Sequence, residues 1–429
     1  MPLAAFAWHL APAPLKARLL HPNARRKRLR VALLSFAETA AESPVPRAFL
    51  RVGGLTVARQ QLGIALALGC ERIVCIAPAL TPDIVQLQHI AEARGAQFNV
   101  ISGARPMLGL VSAADDVVAL ADGLFSSTAE TVDLLSETQC VLVQPIEQGL
   151  AGGFERIDLN HAAAGAIRIP GRLIEQIATL PADCDPVSAL QRIALQSGVR
   201  QREIPTPGQD GLFWALVRSD AEAHTIEPQW IRQRTRDTVP LGPARGIALL
   251  AVRSFGPALL HAGTGSRALV IAAVALALLA LGASWFMLPV FGLSMAALAW
   301  ILRESAALLA RIEHDGPPRK RGIDSLTAYG WAIDGVIVFL MGWATAYDPG
   351  HALPDRLFPP FMLIAQLRIL AAIHDGRWGA WLTDRSLLSL VLIGAILGRI
   401  GSEVAHGGAV LAAVAILVQL GGKSRLTRP

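Results

Sequence analysis

Short apolar runs separated by glycine stops fill the first half of this chain, and long uncharged apolar stretches fill the second. Residues 31–36 (VALLSF) read as a buried strand. Gly53-Gly54 opens a helical pattern in which Leu55, Ala58, Leu62, Ala65 and Leu68 recur at spacings of three and four, and Gly69 stops it. Residues 72–77 (RIVCIA) predict the next strand, and 83–94 a helix with Pro82 in its first turn. After Gly95, residues 96–101, 116–121 and 140–144 are further strand candidates. Strand, helix and glycine stop in repetition predict an α/β, Rossmann-like domain with a mostly parallel sheet over residues 31–235.

The second half predicts an all-α multi-pass membrane bundle of about six helices. No charged residue occurs between Ala268 and Leu302. Apolar stretches can be cut at 268–288, 291–310, 331–347, 358–374, 386–399 and 406–420. The expected organisation is therefore a basic N-terminal segment (1–30), the α/β domain (31–235), a linker or interfacial segment (236–267), a transmembrane domain (268–420) and a basic tail (421–429). Loop charges set the expected orientation. Arg311, Arg319, Lys320 and Arg321 lie in one loop, Arg377 and Arg385 in another, and Lys423, Arg425 and Arg428 in the tail. The intervening connections carry few Lys or Arg, so the positive-inside rule places the α/β domain and the C-terminus on the cytoplasmic side of an inner (plasma) membrane.

Composition agrees with this division. Hydrophobic residues make up 53% and charged residues 17%, against about 25% charged in an average soluble domain. The net charge is +6, but the basic runs flank apolar segments and do not interleave with aromatics. Anionic lipid headgroups are the expected partners, and nucleic acid is not. Cys70, Cys75, Cys140 and Cys184 form no CxxC pair, and buried free thiols are expected. The basic run at residues 25–30 follows, rather than precedes, a mildly apolar stretch, which is the wrong order for a secretory signal.

Ligands in open α/β sheets bind beyond the C-terminal strand ends. Gly53-Gly54 is a candidate phosphate cradle at a helix start, and Asp122, directly after a strand, a candidate Mg²⁺ ligand whose bland alternative is a turn residue before Gly123. The segment Pro46-Arg47 to Gly53-Gly54-Leu55, with Gly69 to Val74, resembles the opening of sugar-phosphate nucleotidyltransferases. That family couples a nucleoside triphosphate to a phosphorylated sugar or polyol. The resemblance places Arg47, Gly53 and Gly54 at the nucleotide and Asp122 at the metal. The segment after Phe36 (AETAAE) lacks the glycines and arginine of the family's loop, and Ala215 to Arg218 follow Trp214 where a second aspartate is usual.

A second resemblance lies at the junction of the second and third apolar stretches. Asp315-Gly316, Lys320, Gly330 and Asp334 have the spacing of the CDP-alcohol phosphatidyltransferase signature. This implies six spans and two divalent ions, Mg²⁺ or Mn²⁺, held by aspartates. Asp315 and Asp334 are the metal candidates, expected to approach each other, with Lys320 nearby. Ile312 and Val338 stand where the family has a metal ligand and its proposed base, and Asp324 is an extra carboxylate. Arg303, Glu304 and Arg368 are further polar candidates inside the spans, where charges face a bundle interior or the interface. Natural fusions of the two families make phosphoinositol-type lipids. The resemblance thus implies a protein of phospholipid or phosphopolyol-lipid synthesis that meets a nucleotide or CDP-linked ligand, with a dimer as one oligomeric state. The incomplete signatures leave catalysis open. A non-catalytic scaffold or a lipid or small-molecule carrier built on the same fold is the alternative.

Overall fold

The computed structural model describes residues 28–179, 184–206, 212–236, 238–239, 241–261, 265–313, 325–344, 353–374 and 377–426. The first strand, β1 (Arg30–Ser35), is followed by the hairpin β2 (Arg51–Val52) and β3 (Leu55–Thr56), then α1 (Val57–Ala67), β4 (Arg72–Ile76), α2 (Pro82–Glu92) and β5 (Gln97–Ile101). Next come β6 (Asp116–Leu120), β7 (Leu124–Ser126), α3 (Thr128–Ser136), β8 (Cys140–Pro145), α4 (Ile146–Ala151) and β9 (His161–Pro170). The domain closes with α5 (Pro186–Gln196), β10 (Gln201–Glu203), β11 (Trp214–Leu216) and α6 (Asp220–Arg234).

Seven strands form one sheet in the order β10-β8-β9-β6-β1-β4-β5. All neighbours pair in parallel except β9, which runs antiparallel to both β6 and β8. The central strands are buried on both faces, so successive residues alternate between two cores. Ala32, Leu34, Ile73, Cys75, Val118 and Leu120 face one core; Val31, Leu33, Val74, Ile76, Val117 and Ala119 face the other. This is why these strands read as unbroken apolar runs. β9 went unread because its segment HAAAGAIRIP is rich in alanine and glycine, residues depleted in strands. Cys70, Cys75 and Cys140 are buried free thiols, whereas Cys184 is free but only half-buried.

The glycine pair is placed differently from the sequence expectation. Gly53 and Gly54 make the turn of the β2–β3 hairpin with φ of +61° and +78°. Helix α1 starts three residues later, with Thr56 as its N-cap. A two-residue turn with both residues at positive φ is the type I′ geometry that joins twisted strands, and glycine suits it.

After α6 come α7 (Pro243–His261), α8 (Gly265–Trp285), α9 (Pro289–Glu313), α10 (Ser325–Ala344), α11 (Leu353–Ile373), α12 (Arg377–Thr383), α13 (Arg385–Leu397) and α14 (Gly401–Leu426). Among the described residues, five helices are long and apolar enough to cross a membrane: α8, α9, α10, α11 and α14. The fifth apolar stretch of the sequence becomes α13, with 13 residues. At 1.5 Å per residue it reaches about 20 Å, short of a hydrocarbon core of about 30 Å. The sixth stretch instead extends to the 26 residues of α14, because Gly407 and Gly408 lie inside the helix rather than ending it.

The two parts share a core. Val52, Trp230 and Ile231 of the α/β domain pack with Ala248, Val252 and Leu260 of α7 and with Leu308, Leu309 and Ile312 of α9. A Cβ on Gly53 would lie 2.6 Å from Trp230, and its nearest membrane-domain neighbour is Ile312. The hairpin therefore plugs the α/β domain into the C-terminal end of α9.

Candidate functional site

At the strand ends of the α/β domain, Asp122 follows β6 and is only 6% exposed. Its Oδ2 accepts the backbone N–H of Glu38 at 2.8 Å, while Oδ1 is buried without a hydrogen-bond partner. Arg47 is paired with Glu38, and its Nε donates to the Thr39 carbonyl at 3.2 Å. The segment after β1 is thus folded onto Asp122 and fastened there: Thr39 bridges Pro46, and the Arg47 N–H donates to the Glu38 carbonyl. Burial pushes the Asp122 carboxyl up to about 7, with the neighbouring Glu38 raising it further against the opposing hydrogen bond and Arg47.

This geometry departs from the expected nucleotide site. A hard cation needs several exposed oxygens, and Asp122 offers one buried oxygen beside a second that is already engaged. Arg47 is neutralised by Glu38 rather than open toward a triphosphate. Gly53 and Gly54 are occupied rather than open to a phosphate: the Gly53 N–H donates to Glu227 of α6 at 3.0 Å, and Gly54 abuts Leu260 of α7. No group of three or more His, Cys, Asp or Glu side chains suited to a metal occurs among the described residues. The residues around Asp122 do not fit the Mg²⁺ or Mn²⁺ that the resemblance implied there.

The second candidate site lies at the end of the helical bundle that faces the α/β domain. Here Asp334 of α10 is held between two arginines. Arg368 of α11 donates to Oδ2 and Arg385 of α13 to Oδ1, and a second Arg385 nitrogen lies 3.4 Å from Oδ2. Arg385 is 1% exposed. Two cations on one carboxylate leave it poorly placed to ligate a metal, so Asp334 too departs from the metal role. Asp315, Lys320 and Asp324 lie outside the described residues, and so does the expected approach of Asp315 to Asp334.

Ile312 and Val338 stand where the resembled signature has carboxylates. Ile312 belongs to the core between the two domains. Val338 packs against the bundle core beside Ile333, Ile337 and Met341. Both positions are used for packing.

Beside Asp334 is a cavity of about 270 Å³, lined by Arg245 of α7, Trp300, Arg303 and Glu304 of α9, Thr327 and Gly330 of α10, Arg368 of α11, Thr383 of α12 and Asp384. Arg303 is paired with Glu304, donates to the Leu326 carbonyl at 3.1–3.2 Å and lies over Trp300 at 4.8 Å. Arg368 lies over Trp331 at 5.3 Å. A Cβ on Gly330 would be 3.9 Å from one guanidinium nitrogen of Arg303 and 3.9 Å from one of Arg368. The absent side chain leaves room where two cations converge. The Nε of Arg245 is buried without a hydrogen-bond partner. Asp384 is occupied elsewhere. It accepts the Ala244 N–H at 2.8 Å and the Ser386 N–H and hydroxyl at 3.0 and 2.6 Å, capping both α7 and α13. The cavity is therefore lined by three arginines and two carboxylates: Arg303 pairs with Glu304, Arg368 reaches Asp334 beside the cavity, and Asp384 is committed to two helix starts and the Ser386 hydroxyl.

The structure thus brings Arg303, Glu304 and Arg368 together, as residues of one cavity. Arg245 lay in what read as a linker, and Arg385 read as a loop charge. The available signal was Asp384-Arg385 before an apolar run, an N-cap pattern.

No protein-family model matches the chain, and the comparison with curated proteins finds no relative. Among solved structures, the chain is similar over its N-terminal half to a chain assigned as a glucose-1-phosphate thymidylyltransferase from Bacillus anthracis, in complex with sucrose. That match has a TM-score of 0.36 and 13% identity, and covers 46% of this chain and 95% of that one. The chain is also similar to the inositol-1-phosphate CTP transferase from T. maritima, with a TM-score of 0.35 and 13% identity, covering 46% of this chain and 92% of that one.

Proposed function

We propose that this protein is a membrane-embedded receptor for a phosphorylated headgroup or a CDP-linked alcohol, related to phospholipid or phosphopolyol-lipid synthesis and working by binding rather than by two-metal group transfer. The observation that carries this reading is the convergence of Arg303 and Arg368 on the space above Gly330, in a cavity that also presents Arg245. A phosphate is the ligand class that planar guanidinium groups recognise best, through paired N–H donors. Trp300 and Arg303, which line the cavity, lie within about three helical turns of the α9 residues Leu308, Leu309 and Ile312 that pack on the α/β domain. Two-metal chemistry needs several carboxylates and a base for the attacking hydroxyl. Here Asp334 is engaged by two arginines, and Ile312 and Val338 occupy the ligand and base positions.

The test is binding of CDP-diacylglycerol and of inositol phosphate to the full chain in lipid nanodiscs. Arg245→Gln with Arg303→Gln should weaken binding at least about tenfold, since charge-assisted hydrogen bonds contribute about 1.5–3 kcal/mol each. Gly330→Leu should block the cavity while leaving the arginines in place. Unchanged affinity in both variants would remove the proposed site.

A further inference from the structure

A second basic cavity, of about 360 Å³, lies where the α/β domain meets the first long apolar helix. Its cations come from three elements: Arg51 on the β2–β3 hairpin, Arg59 on α1 and Arg267 on α8. Among the described residues, no hydrogen bond or ion pair engages any of these three guanidinium groups. Of the two acids that line the cavity, Glu313 is already engaged. It accepts the Ser266 N–H at 3.0 Å and the Ser266 hydroxyl. Asp83 sits in the first turn of α2. Among the described residues, the cavity therefore presents three cations without a side-chain partner against one uncommitted carboxylate.

Position adds an independent observation. Arg267 is the third residue of α8, and the rest of that 21-residue helix is uncharged. In a spanning helix such a residue sits at headgroup level. Ile271, Val274 and Leu278 follow Arg267 at intervals of four, three and four, which places all four on one helical stripe. Ile271, Val274 and Leu278 are all exposed. A charged cavity thus continues into an apolar track that runs away from it along the helix.

We infer that this cavity holds the headgroup of an anionic phospholipid from the leaflet facing the α/β domain, with an acyl chain along the Ile271–Leu278 stripe, so that one lipid clamps the α/β domain to the membrane domain. A free phosphate would satisfy the arginines but would leave the apolar stripe unused. The cavity is separate from the Arg245–Arg303–Arg368 cavity, and neither reading depends on the other.

Native mass spectrometry of the full chain, titrated with phosphatidylglycerol and with phosphatidylcholine, tests this. Each cation near an anionic surface favours binding by about fivefold, so three give a preference of up to about a hundredfold for the anionic lipid. Arg51→Gln/Arg59→Gln/Arg267→Gln should bring the preference close to unity, and the corresponding triple lysine variant should keep most of it. If the triple glutamine variant does not fold, Arg59→Gln alone should lower the preference about fivefold. Arg94→Gln, an exposed position outside both cavities, should leave it unchanged. The proposal is overturned if the folded glutamine variants keep the full preference, or if Arg94→Gln lowers it equally. Displacement of the lipid by glycerol 3-phosphate at equal concentration would assign the cavity to a soluble phosphate and overturn the lipid assignment.

Discussion

Replacing Asp334 separates a structural carboxylate from a metal ligand. Asp334 is the only acidic side chain that pairs with Arg385 among the described residues, and Arg385 is 1% exposed. Asp334→Asn leaves that guanidinium buried without its counter-charge. Removing one partner of a buried ion pair costs about 3–5 kcal/mol. Arg368 is a third exposed on its side chain and adds less, because solvent screens it. On the scale of about 2–4 °C per kcal/mol for domains of this size, the apparent melting temperature in detergent should fall by roughly 6–20 °C. Fluorescence-detected size exclusion after heating reads this directly. Asp334→Leu combined with Arg385→Met should recover most of the loss, since apolar replacement of a whole buried pair is often neutral. A metal ligand behaves in the opposite way. If Asp334→Asn melts within about 2 °C of the native chain and abolishes a Mn²⁺-dependent stabilisation, the clamp account is refuted.

Other consequences follow from the same geometry. Asp122 titrates near 7 in the folded chain, above its ordinary value of 3.8, so the folded state binds its proton more tightly than the unfolded state does. Stability should therefore fall as pH rises from about 4 to 7 and level off above that. Asp122→Asn should flatten the profile and melt higher than the native chain at pH 8, whereas equal slopes in a pH series of melting curves would rule out Asp122 as the source. Gly53→Ala should destabilise by more than about 1 kcal/mol, because φ is +61° and the new Cβ would lie 2.6 Å from Trp230. Limited proteolysis should then release the α/β domain sooner than in the native chain. Asp384→Ala removes the cap of α13 and the acceptor for α7 together, and should cost about 2 kcal/mol at roughly 1 kcal/mol per cap. Asp384→Asn should recover part of that, and equal melting of all three proteins would show that the caps are idle.

The sheet was legible where strands are buried on both faces, since β1, β4 and β6 are unbroken apolar runs that one face alone would not require. It was illegible at β9, where alanine and glycine fill a central strand whose small side chains leave room for Trp214, its indole donating to the Ala164 carbonyl. The glycine pair at 53 and 54 read as a helix opening because apolar periodicity continues straight through Leu55. Local pattern cannot distinguish a hairpin turn followed by a two-residue strand from a first helical turn. In the membrane half, Arg303, Glu304 and Arg368 stood out because charges are costly in apolar helices. Their convergence depends on which helices touch, and no spacing along the chain encodes that. Asp334 fitted a metal motif by its spacing to Gly330, but two arginines distant in sequence engage it. Arg245 was hidden for a different reason: α7 mixes arginines with apolar residues, and its place against α9 is set by tertiary packing.

Binding of a phosphorylated headgroup in the bundle cavity, without its transfer, separates retention from turnover. The most direct measurement incubates the full chain in nanodiscs with CDP-diacylglycerol, inositol phosphate and Mn²⁺ or Mg²⁺, following ligand retention and CMP release in the same sample. Saturable retention is expected, weakened at least about tenfold by Arg245→Gln/Arg303→Gln, with no CMP above the protein-free control. CMP release that disappears in Asp315→Asn or Asp334→Asn would contradict binding without transfer.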